Sequence, residues 1–255
     1  MKPFVTIDCF PESARQYGPD YAVVAIDVIR ATTAAITAVA TGRKCYPRPS
    51  LESALATARG LDNPVLAGEL AGDMPVGFEM NNSPAELATR SDIERPLVLL
   101  SSSGTRLLHE SKQAAAVYLA CFRNYASVAM HIAARYERVA VIGAGSRGDF
   151  REEDQMCCAW IAELLIGHGY EAANAATTDL VQRWSGAPAA ACVISKSVDY
   201  LRHSDQLADL DFILSHVNDL RDIYRLLDGE VQVVERREHL GDDEPIAATA
   251  EAKVG

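Results

Sequence analysis

Apolar runs of strand length alternate with segments of helix length along most of this chain. The run at 23–28 is almost wholly apolar, which is typical of a strand buried on both faces. The predicted strands are 23–28, 65–68, 96–100, 116–121, 139–142 and an edge strand at 231–234. The predicted helices are 31–41, 51–59, 105–114, 125–135 and 154–167, with 207–227 as helix interrupted by turns. This alternation predicts an α/β fold of βαβ units, with a mainly parallel or mixed sheet flanked by helices.

Two segments break the alternation. Residues 71–84 contain glycines, prolines and two adjacent asparagines, so we expect a long functional loop there. From Gly241 the chain becomes acidic and alanine-rich, and 241–255 is predicted to be a flexible tail. The remaining 1–240 is predicted to form a single α/β unit, with a boundary near 125–138 if it divides into two sub-domains.

The formal net charge is −11 at pH 7, and no basic stripe offsets it. We therefore exclude nucleic acid as a partner, and an anionic substrate would need local donors or a cation. The six cysteines show no CxxC spacing, which predicts reduced thiols in a cytoplasmic protein. No apolar stretch reaches about 18 residues and no signal peptide is evident after Lys2, so neither a membrane span nor export is expected.

Polar loops follow three of the predicted strands, and these loops carry most of the candidate chemistry. Asp27 lies at the end of the first strand and Arg30 just beyond it, Ser-Ser-Ser-Gly-Thr at 101–105 follows the third, and the fifth leads through glycines to acids at 152–154. In open α/β sheets, ligands bind beyond the carboxyl ends of the strands. Carboxylates, hydroxyls, glycines and an arginine are groups that bind a metal ion and a phosphate, so the pattern indicates an enzyme.

Asp27 and Arg30 have two equally favoured interpretations. Arg30 either holds Asp27 in a structural ion pair, or binds a phosphate while Asp27 holds a metal ion. Glu69, after the strand at 65–68, adds a second carboxylate. The acids at 152–154 also have two equally favoured interpretations. They either complement the dipole at the start of a helix or bind a cation, and both roles produce the same sequence pattern.

The hydroxyl loop, residues 101–105, is a candidate for anion binding. Its hydroxyls and the free backbone amides of a helix start can cradle a phosphate. One Ser or Thr would be enough to cap the helix, which is the structural alternative. Four hydroxyls around Gly104 exceed what a cap needs, so anion binding is favoured.

Residues 143–148 match the G-x-G-x-x-G pattern of dinucleotide-binding loops, but their context is unfavourable. Asp149 and the acids at 152–154 lie close to where a pyrophosphate would sit. We interpret the match as a turn and keep an NAD(P)-dependent oxidoreductase using Gly143 to Gly148 as an alternative. The chain lacks the common nucleophile motifs, which favours metal-activated water or a carboxylate as the nucleophile.

Taken together, these segments resemble the 2-phosphosulfolactate phosphatase family. The resemblance covers about 23–234 and rests on Asp27-Val28-Ile29-Arg30-Ala31-Thr32-Thr33, Ala67-Gly68-Glu69, Gly77-Phe78 with Asn82-Ser83-Pro84, Ser103-Gly104-Thr105-Arg106, Asn124 with Ala126, and Glu153-Asp154 before Cys158-Ala159. It implies a Mg²⁺-dependent phosphatase that hydrolyses the monoester of a small phosphorylated hydroxy acid, 2-phosphosulfolactate giving sulfolactate and phosphate. The family usually has an arginine and paired glycines where this chain has Leu-Ala-Gly-Asp at 70–73. We therefore expect the chemistry to carry over more fully than the substrate.

The motifs and the resemblance together assign roles to the candidate residues. The expected catalytic residues are Asp27, Arg30 and Glu69. The expected Mg²⁺ ligands are Asp27, Glu69, Glu153 and Asp154. The expected phosphate- and substrate-binding residues are Ser102, Ser103, Gly104, Thr105, Asn82 and Asn124. The expected partner is a small phosphorylated organic acid, association into a homo-oligomer is left open, and a non-catalytic anion-binding homologue is the further alternative.

Overall fold

A computed structural model describes residues 2–133 and 135–235 of the chain. Its strands are β1 (Phe4–Cys9), β2 (Ala22–Ile26), β3 (Cys45–Arg48), β4 (Val65–Gly68), β5 (Leu97–Leu100), β6 (Ala116–Ala120), β7 (Arg138–Gly143), β8 (Glu171–Ala172), β9 (Ile223–Leu227) and β10 (Glu230–Glu235). Its α-helices are α1 (Ala31–Ala40), α2 (Leu51–Arg59), α3 (Pro84–Thr89), α4 (Gly104–Glu110), α5 (Tyr125–Ala133), α6 (Glu152–Gly167), α7 (Ala175–Trp184), α8 (Lys196–His203) and α9 (Leu207–Ser215). The predicted tail at 241–255 lies outside the described residues, so the division of the chain near residue 240 stays a prediction.

The strands form one ten-stranded sheet in the order β4-β5-β3-β10-β9-β6-β2-β7-β1-β8. Strands β4, β5 and β3 are parallel to one another, and so are β6, β2, β7, β1 and β8. Between these groups, β9 and β10 form an antiparallel hairpin that pairs antiparallel with β6 on one side and with β3 on the other. The two parallel groups therefore run in opposite directions, and the predicted α/β fold with a mixed sheet is confirmed.

Most predicted elements agree with the structure to within a few residues, and α2 and β4 agree at both ends. The prediction of helix up to 227 is wrong, because Ile223–Leu227 forms β9. A short apolar run fits a helix or a strand equally well, and here pairing with β6 and β10 decides for the strand. The same pairing places β10 inside the sheet rather than at its edge. Strand β3 is absent from the prediction because Pro47 is atypical of a strand interior.

Helices cover both faces of the sheet. Val24 and Ile26 of β2 belong to the core that contains α6, whereas Val23 and Ala25 belong to the core that contains α1. The small side chains of α1 are almost all buried, so this helix packs closely against the sheet and its neighbours. Across the described ranges, no helix combines the length and the apolar character needed to cross a membrane.

Candidate active site

A cavity of about 630 Å³ lies where the loops after β2, β4, β5 and β7 meet. These loops include the polar strand ends that the sequence pattern singles out. The predicted site residues that line the cavity are Asp27, Arg30, Glu69, Asn82, Ser102, Ser103, Glu153 and Asp154. The predicted site residues Gly104, Thr105 and Asn124 are not among the residues that line it.

The strand ends on the two sides of this cavity belong to the parallel groups that run in opposite directions. In a flat sheet, the carboxyl ends of β2 and β5 would lie at opposite edges. Five strand-to-strand steps separate β5 from β2. A twist of about 20–25° per step turns the carboxyl end of β5 toward the carboxyl end of β2. The hydroxyl loop after β5 thereby reaches the residues that follow β2.

Gly104, the first residue of α4, is a point of very close approach between the two sides. A Cβ at this position would lie 2.3 Å from Oδ2 of Asp27 and 2.6 Å from Cβ of Ala31. Only glycine leaves room for the Asp27 carboxylate here. Gly104 therefore shapes the site by its lack of a side chain, a different role from the predicted phosphate contact.

Gly104→Ala should lower the free energy of unfolding by about 1–3 kcal/mol, because the added methyl group must displace Asp27 or Ala31. Urea denaturation measures the change. Gly167→Ala is the matched control, since Gly167 ends α6 with open space around its Cβ position. That variant should be neutral or slightly more stable. Equal stability of the two variants would show that Asp27 moves aside without cost.

Three buried carboxyl groups, Asp27, Glu153 and Asp154, form an acidic wall of the cavity. Asp154 accepts hydrogen bonds from the N–H groups of Val28 (2.9 Å) and Gly145 (3.2 Å), which joins the loop after β2 to the loop after β7. Oε2 of Glu153 is buried and has no hydrogen-bond partner among the described residues. The wall thus contains both carboxylates held by backbone amides and a buried carboxylate oxygen without such a partner.

Burial raises the pKa of all three carboxyl groups of the acidic wall. The pKa of Asp27 is raised to about 7, mainly by burial. The hydrogen bond from the N–H of Ala31 lowers this pKa, whereas the nearby charges of Glu69 and Glu153 raise it further. The pKa of Asp154 lies well above its usual value because of burial and the charges of Asp27 and Glu153. Buried carboxylates that repel one another favour a proton or a cation between them.

The acidic wall supplies hard oxygen donors of the kind that Mg²⁺ binds, and the unpartnered Oε2 of Glu153 is such a donor. Within 2–133 and 135–235, no three carboxylate, histidine or cysteine side chains are grouped closely enough to hold a metal ion. Asp154 and Glu69 direct carboxylate oxygens to backbone N–H groups. The residues therefore fit Mg²⁺ in their chemistry, and the metal stays a proposal.

Glu69 joins two loops on another wall of the cavity. Its carboxylate accepts hydrogen bonds from the N–H (2.7 Å) and the hydroxyl (3.0 Å) of Ser102, and from the N–H of Gly72 (2.8 Å). The Ser102 hydroxyl in turn accepts a hydrogen bond from the N–H of Ala71 (2.7 Å). These bonds fix the loop after β4 against the hydroxyl loop.

Residues of the hydroxyl loop divide between helix capping and the cavity wall. Oγ of Ser101 accepts hydrogen bonds from the N–H groups of Ser103 (3.4 Å) and Gly104 (3.3 Å). The Thr105 hydroxyl donates to the carbonyl of Ser101 and accepts from its N–H. We therefore assign Thr105 a structural role at the start of α4, whereas Ser101, Ser102 and Ser103 line the cavity.

The ion-pair partner of Arg30 is Asp209, not Asp27. Nη1 of Arg30 lies 2.5 Å from Oδ2 of Asp209, and both side chains are almost fully buried. The same nitrogen donates to Gln206, and Asp209 also accepts a hydrogen bond from the Ser83 hydroxyl. Arg30 lines the cavity and is held there by residues at and just before α9, a contact that no sequence motif indicates.

The two predicted asparagines have different surroundings. Asn82 lines the cavity, is 2% exposed, and its Oδ1 has no hydrogen-bond partner in the described structure. Oδ1 of Asn124 accepts a hydrogen bond from the N–H of Cys121 (3.0 Å), and its Nδ2 donates to the carbonyl of Leu119 (3.1 Å). Asn124 therefore caps the end of β6, and we assign it no substrate contact.

Several polar residues that line the cavity are absent from the sequence prediction. Those in the loop after β7 and in α8 include Arg147, Arg151, Lys196, Ser197 and Tyr200. The first two lie in the loop after β7, and the others lie in α8. The periodicity weakens around 184–197, so no sequence pattern marks the α8 residues as part of a site.

Comparison with known proteins identifies the family. The sequence model described as 2-phosphosulpholactate phosphatase matches residues 9–223. This chain belongs to the 2-phosphosulpholactate phosphatase family. Two relatives, each named a probable 2-phosphosulfolactate phosphatase, come from Deinococcus radiodurans (34% identity over 184 residues, 71% of this chain and 75% of the relative) and Gloeobacter violaceus (33% over 180 residues, 69% and 75%). A third with the same name, from Symbiobacterium thermophilum, is 36% identical over 149 residues, 56% of this chain and 63% of the relative.

The segment that matches the 2-phosphosulpholactate phosphatase family contains the cavity described above. The residues that line the cavity extend from Phe10 to Tyr200, within the matched range of 9–223. The resemblance inferred from the sequence motifs is therefore confirmed.

The glycine motif at 143–148 has a geometry that does not suit a dinucleotide. Strand β7 ends at Gly143, Arg147 and Gly148 form a tight turn, and α6 begins only at Glu152. The helix start that would face a pyrophosphate thus lies beyond the motif, and its first turn is acidic. Neither this geometry nor the match to the 2-phosphosulpholactate phosphatase family supports an NAD(P)-dependent oxidoreductase.

Proposed function

We propose that this chain is a Mg²⁺-dependent phosphatase that converts 2-phosphosulfolactate to sulfolactate and inorganic phosphate. The observation that carries the proposal is a single cavity that combines a buried acidic wall with hydroxyl and amide groups. Its volume of about 630 Å³ suits a small phosphorylated acid. The family and the names of its relatives point to the same reaction.

The acidic wall, with Glu69 on the neighbouring loop, contains the residues that would hold Mg²⁺. When bound, the ion would neutralise charge on the phosphate and lower the pKa of an attacking water. Carboxylates must lose their protons to bind a metal ion. Mg²⁺ and protons therefore compete for this wall.

The other residues of the cavity would bind and orient the phosphoryl group. The hydroxyl of Ser103 and the amide of Asn82 would donate hydrogen bonds to phosphoryl oxygens, and Arg30 would add a positive charge. The hydroxyl of Ser102 would donate to a phosphoryl oxygen in place of its hydrogen bond to Glu69. In the overall hydrolysis, a water oxygen becomes bonded to phosphorus and the bond from phosphorus to the ester oxygen breaks. The ester oxygen takes a proton and leaves as the hydroxyl group of sulfolactate.

Phosphate release from a panel of phosphorylated hydroxy acids, measured with Mg²⁺ and with EDTA, tests the proposal. We expect release from 2-phosphosulfolactate that EDTA abolishes. A folded chain that binds this ester in a calorimetric titration but releases no phosphate would instead be a non-catalytic anion-binding homologue. Release that persists in EDTA would contradict the metal requirement and leave the phosphatase activity in place.

The proposal includes a cytosolic location. All six cysteines are free thiols, and five of them are buried. A reducing compartment keeps such thiols unpaired. Association into a homo-oligomer stays a prediction.

Removing Mg²⁺ should make the stability of the fold depend on pH. The pKa of Asp27 is about 7 in the folded chain, against about 4 in an unfolded chain. A raised pKa stabilises the fold fully below the unfolded value, and this contribution is lost as the pH rises through about 7. We expect the melting temperature of the metal-free protein to fall by on the order of 5 °C between about pH 5 and pH 8.

Scanning calorimetry in EDTA and in Mg²⁺ measures this dependence. Mg²⁺ should raise the melting temperature more at about pH 8 than at pH 5, because it binds the deprotonated carboxylates. Asp27→Asn should flatten the metal-free curve. The same slope in that variant as in the unaltered chain would contradict the raised pKa of Asp27.

A further inference from the structure

Five cationic side chains line the cavity, and one of them differs from the others in having no acidic partner among the described residues. The paired ones are Arg30 with Asp209, Arg106 with Glu12, and Arg151 and Lys196 with Asp149. Arg147 has no carboxylate within 4.0 Å in the part of the chain that the structure describes. Its positive charge is therefore available to an anionic ligand.

Arg147 lies in a tight turn that contacts a second tight turn at the cavity. The end residues of the turn 146–149 exchange two backbone hydrogen bonds, and its central residues have positive φ values of 51° and 79°. The turn 70–73 has the same two bonds, with φ values of 54° at Ala71 and 98° at Gly72. Positive φ at both central residues is typical of type I′ turns, which are among the shortest connections in proteins.

The contact between these turns uses only part of the Arg147 guanidinium. Its Nη2 donates a hydrogen bond to the carbonyl of Ala71 (2.6 Å). On the same turn, the carbonyl of Gly72 accepts a hydrogen bond from the Tyr200 hydroxyl. A guanidinium has five N–H donors in a planar fork, so Arg147 keeps donors that match a carboxylate or a sulfonate.

Ala71 also fixes the distance between Arg147 and the hydroxyl loop. Its N–H donates to Oγ of Ser102 (2.7 Å), while its carbonyl accepts from Arg147. The N and O atoms of one residue are at most ~4 Å apart, so Nη2 of Arg147 lies within ~9 Å of Oγ of Ser102. A ligand whose phosphate lies at Ser102 can therefore present a second anionic group to Arg147 from a few bonds away.

We propose that Arg147 binds the second anionic group of the substrate, a carboxylate or a sulfonate, while the hydroxyl loop binds its phosphate. Arg147 is thus a specificity-determining residue that selects phosphate esters of acids over those of neutral alcohols. The inference rests on the proposed phosphatase function. Selection arises because a carboxylate pairs with the guanidinium through charge-assisted hydrogen bonds, and an alkyl group in the same place cannot.

Two esters that differ in one group test this role: 2-phospholactate carries a carboxylate where isopropyl phosphate carries a methyl group. In Arg147→Gln, kcat/KM for 2-phospholactate should fall about 10- to 100-fold, with a change below about 2-fold for isopropyl phosphate. Arg147→Lys keeps the positive charge but lacks the planar fork of donors. Its kcat/KM for 2-phospholactate should lie between the values of the unaltered chain and Arg147→Gln. Arg202→Gln removes a charge from an exposed position of α8 that does not line the cavity, and should leave both values unchanged.

An equal loss with both esters in Arg147→Gln would overturn the proposal, because a residue that only ties the two turns would affect both alike. Unchanged kcat/KM with both esters would overturn it as well. Calorimetric titration with 2-phospholactate distinguishes a failure of the Arg147 proposal from a failure of the proposed phosphatase function. If the unaltered chain hydrolyses neither ester nor 2-phosphosulfolactate, the phosphatase function fails. Even then, weaker binding by Arg147→Gln supports the anion contact, and equal binding overturns it.

Discussion

Asp27→Asn should lower kcat/KM for phosphate release by about 10²- to 10³-fold or more while the protein stays folded. Asp27 lies in the acidic wall, and its pKa responds to the charges of Glu69 and Glu153. Asparagine has nearly the same shape and keeps an oxygen that can accept the hydrogen bond from the N–H of Ala31. It lacks the negative charge that Mg²⁺ binding requires. The loss should therefore appear in activity and not in folding.

Asp211→Asn is the control for this substitution. Asp211 is an exposed carboxylate on α9 that does not line the cavity, so its loss should leave phosphate release unchanged. A fixed-time phosphate assay at several Mg²⁺ concentrations compares the two variants. Full activity of Asp27→Asn at moderate Mg²⁺ would remove Asp27 from the proposed mechanism.

Asp209→Asn should lower the free energy of unfolding by about 3 kcal/mol, because it leaves the buried charge of Arg30 without its partner. This loss lies at the lower end of the range that is usual for removing one partner of a buried ion pair. The reason is that asparagine keeps an oxygen that can accept the hydrogen bond from the N–H of Ala85 (3.2 Å). For a chain of this size the melting temperature should fall by roughly 5–10 °C. Chemical denaturation and scanning calorimetry measure the two quantities.

The double variant Arg30→Met with Asp209→Leu distinguishes a buried ion pair from simple packing. Replacing both charges with apolar groups of similar volume is often neutral for stability, so the double variant should regain much of the lost stability. The double variant should still release little phosphate, because it lacks the Arg30 side chain that lines the cavity. Wild-type stability of Asp209→Asn would mean that water or another group compensates the Arg30 charge.

Strand ends were predictable from the sequence because each leaves a local pattern of an apolar run followed by polar residues. The directions in which the strands run in the sheet were not predictable from the sequence. The premise that ligands bind beyond the carboxyl ends of a parallel sheet singles out Asp27 and the hydroxyl loop, and the structure brings both to one cavity. Their meeting depends on the antiparallel β9–β10 hairpin and on the accumulated twist of the sheet. Those are pairings between distant segments, which periodicity does not encode.

Side-chain roles were harder to predict than positions, because the same residue type can cap an element or bind a ligand. Thr105 and Asn124 belong to the quoted motifs, yet both bond to nearby backbone groups. Asp209 has no local motif, since its partner Arg30 lies 179 positions away. Arg147 lies within the glycine motif, but only the facing turn at 70–73 shows what it contacts.

The central position of β9 and β10 has a consequence for how this protein is made. They are the last described strands in the chain, yet they separate the two parallel groups whose ends form the cavity. At a synthesis rate of about 5–20 residues per second, a ribosome takes roughly 10–50 seconds to reach residue 235. Until then the sheet lacks the strands that join its two groups. A growing chain therefore cannot engage its ester, and activity should appear only when the hairpin has emerged and inserted between β3 and β6.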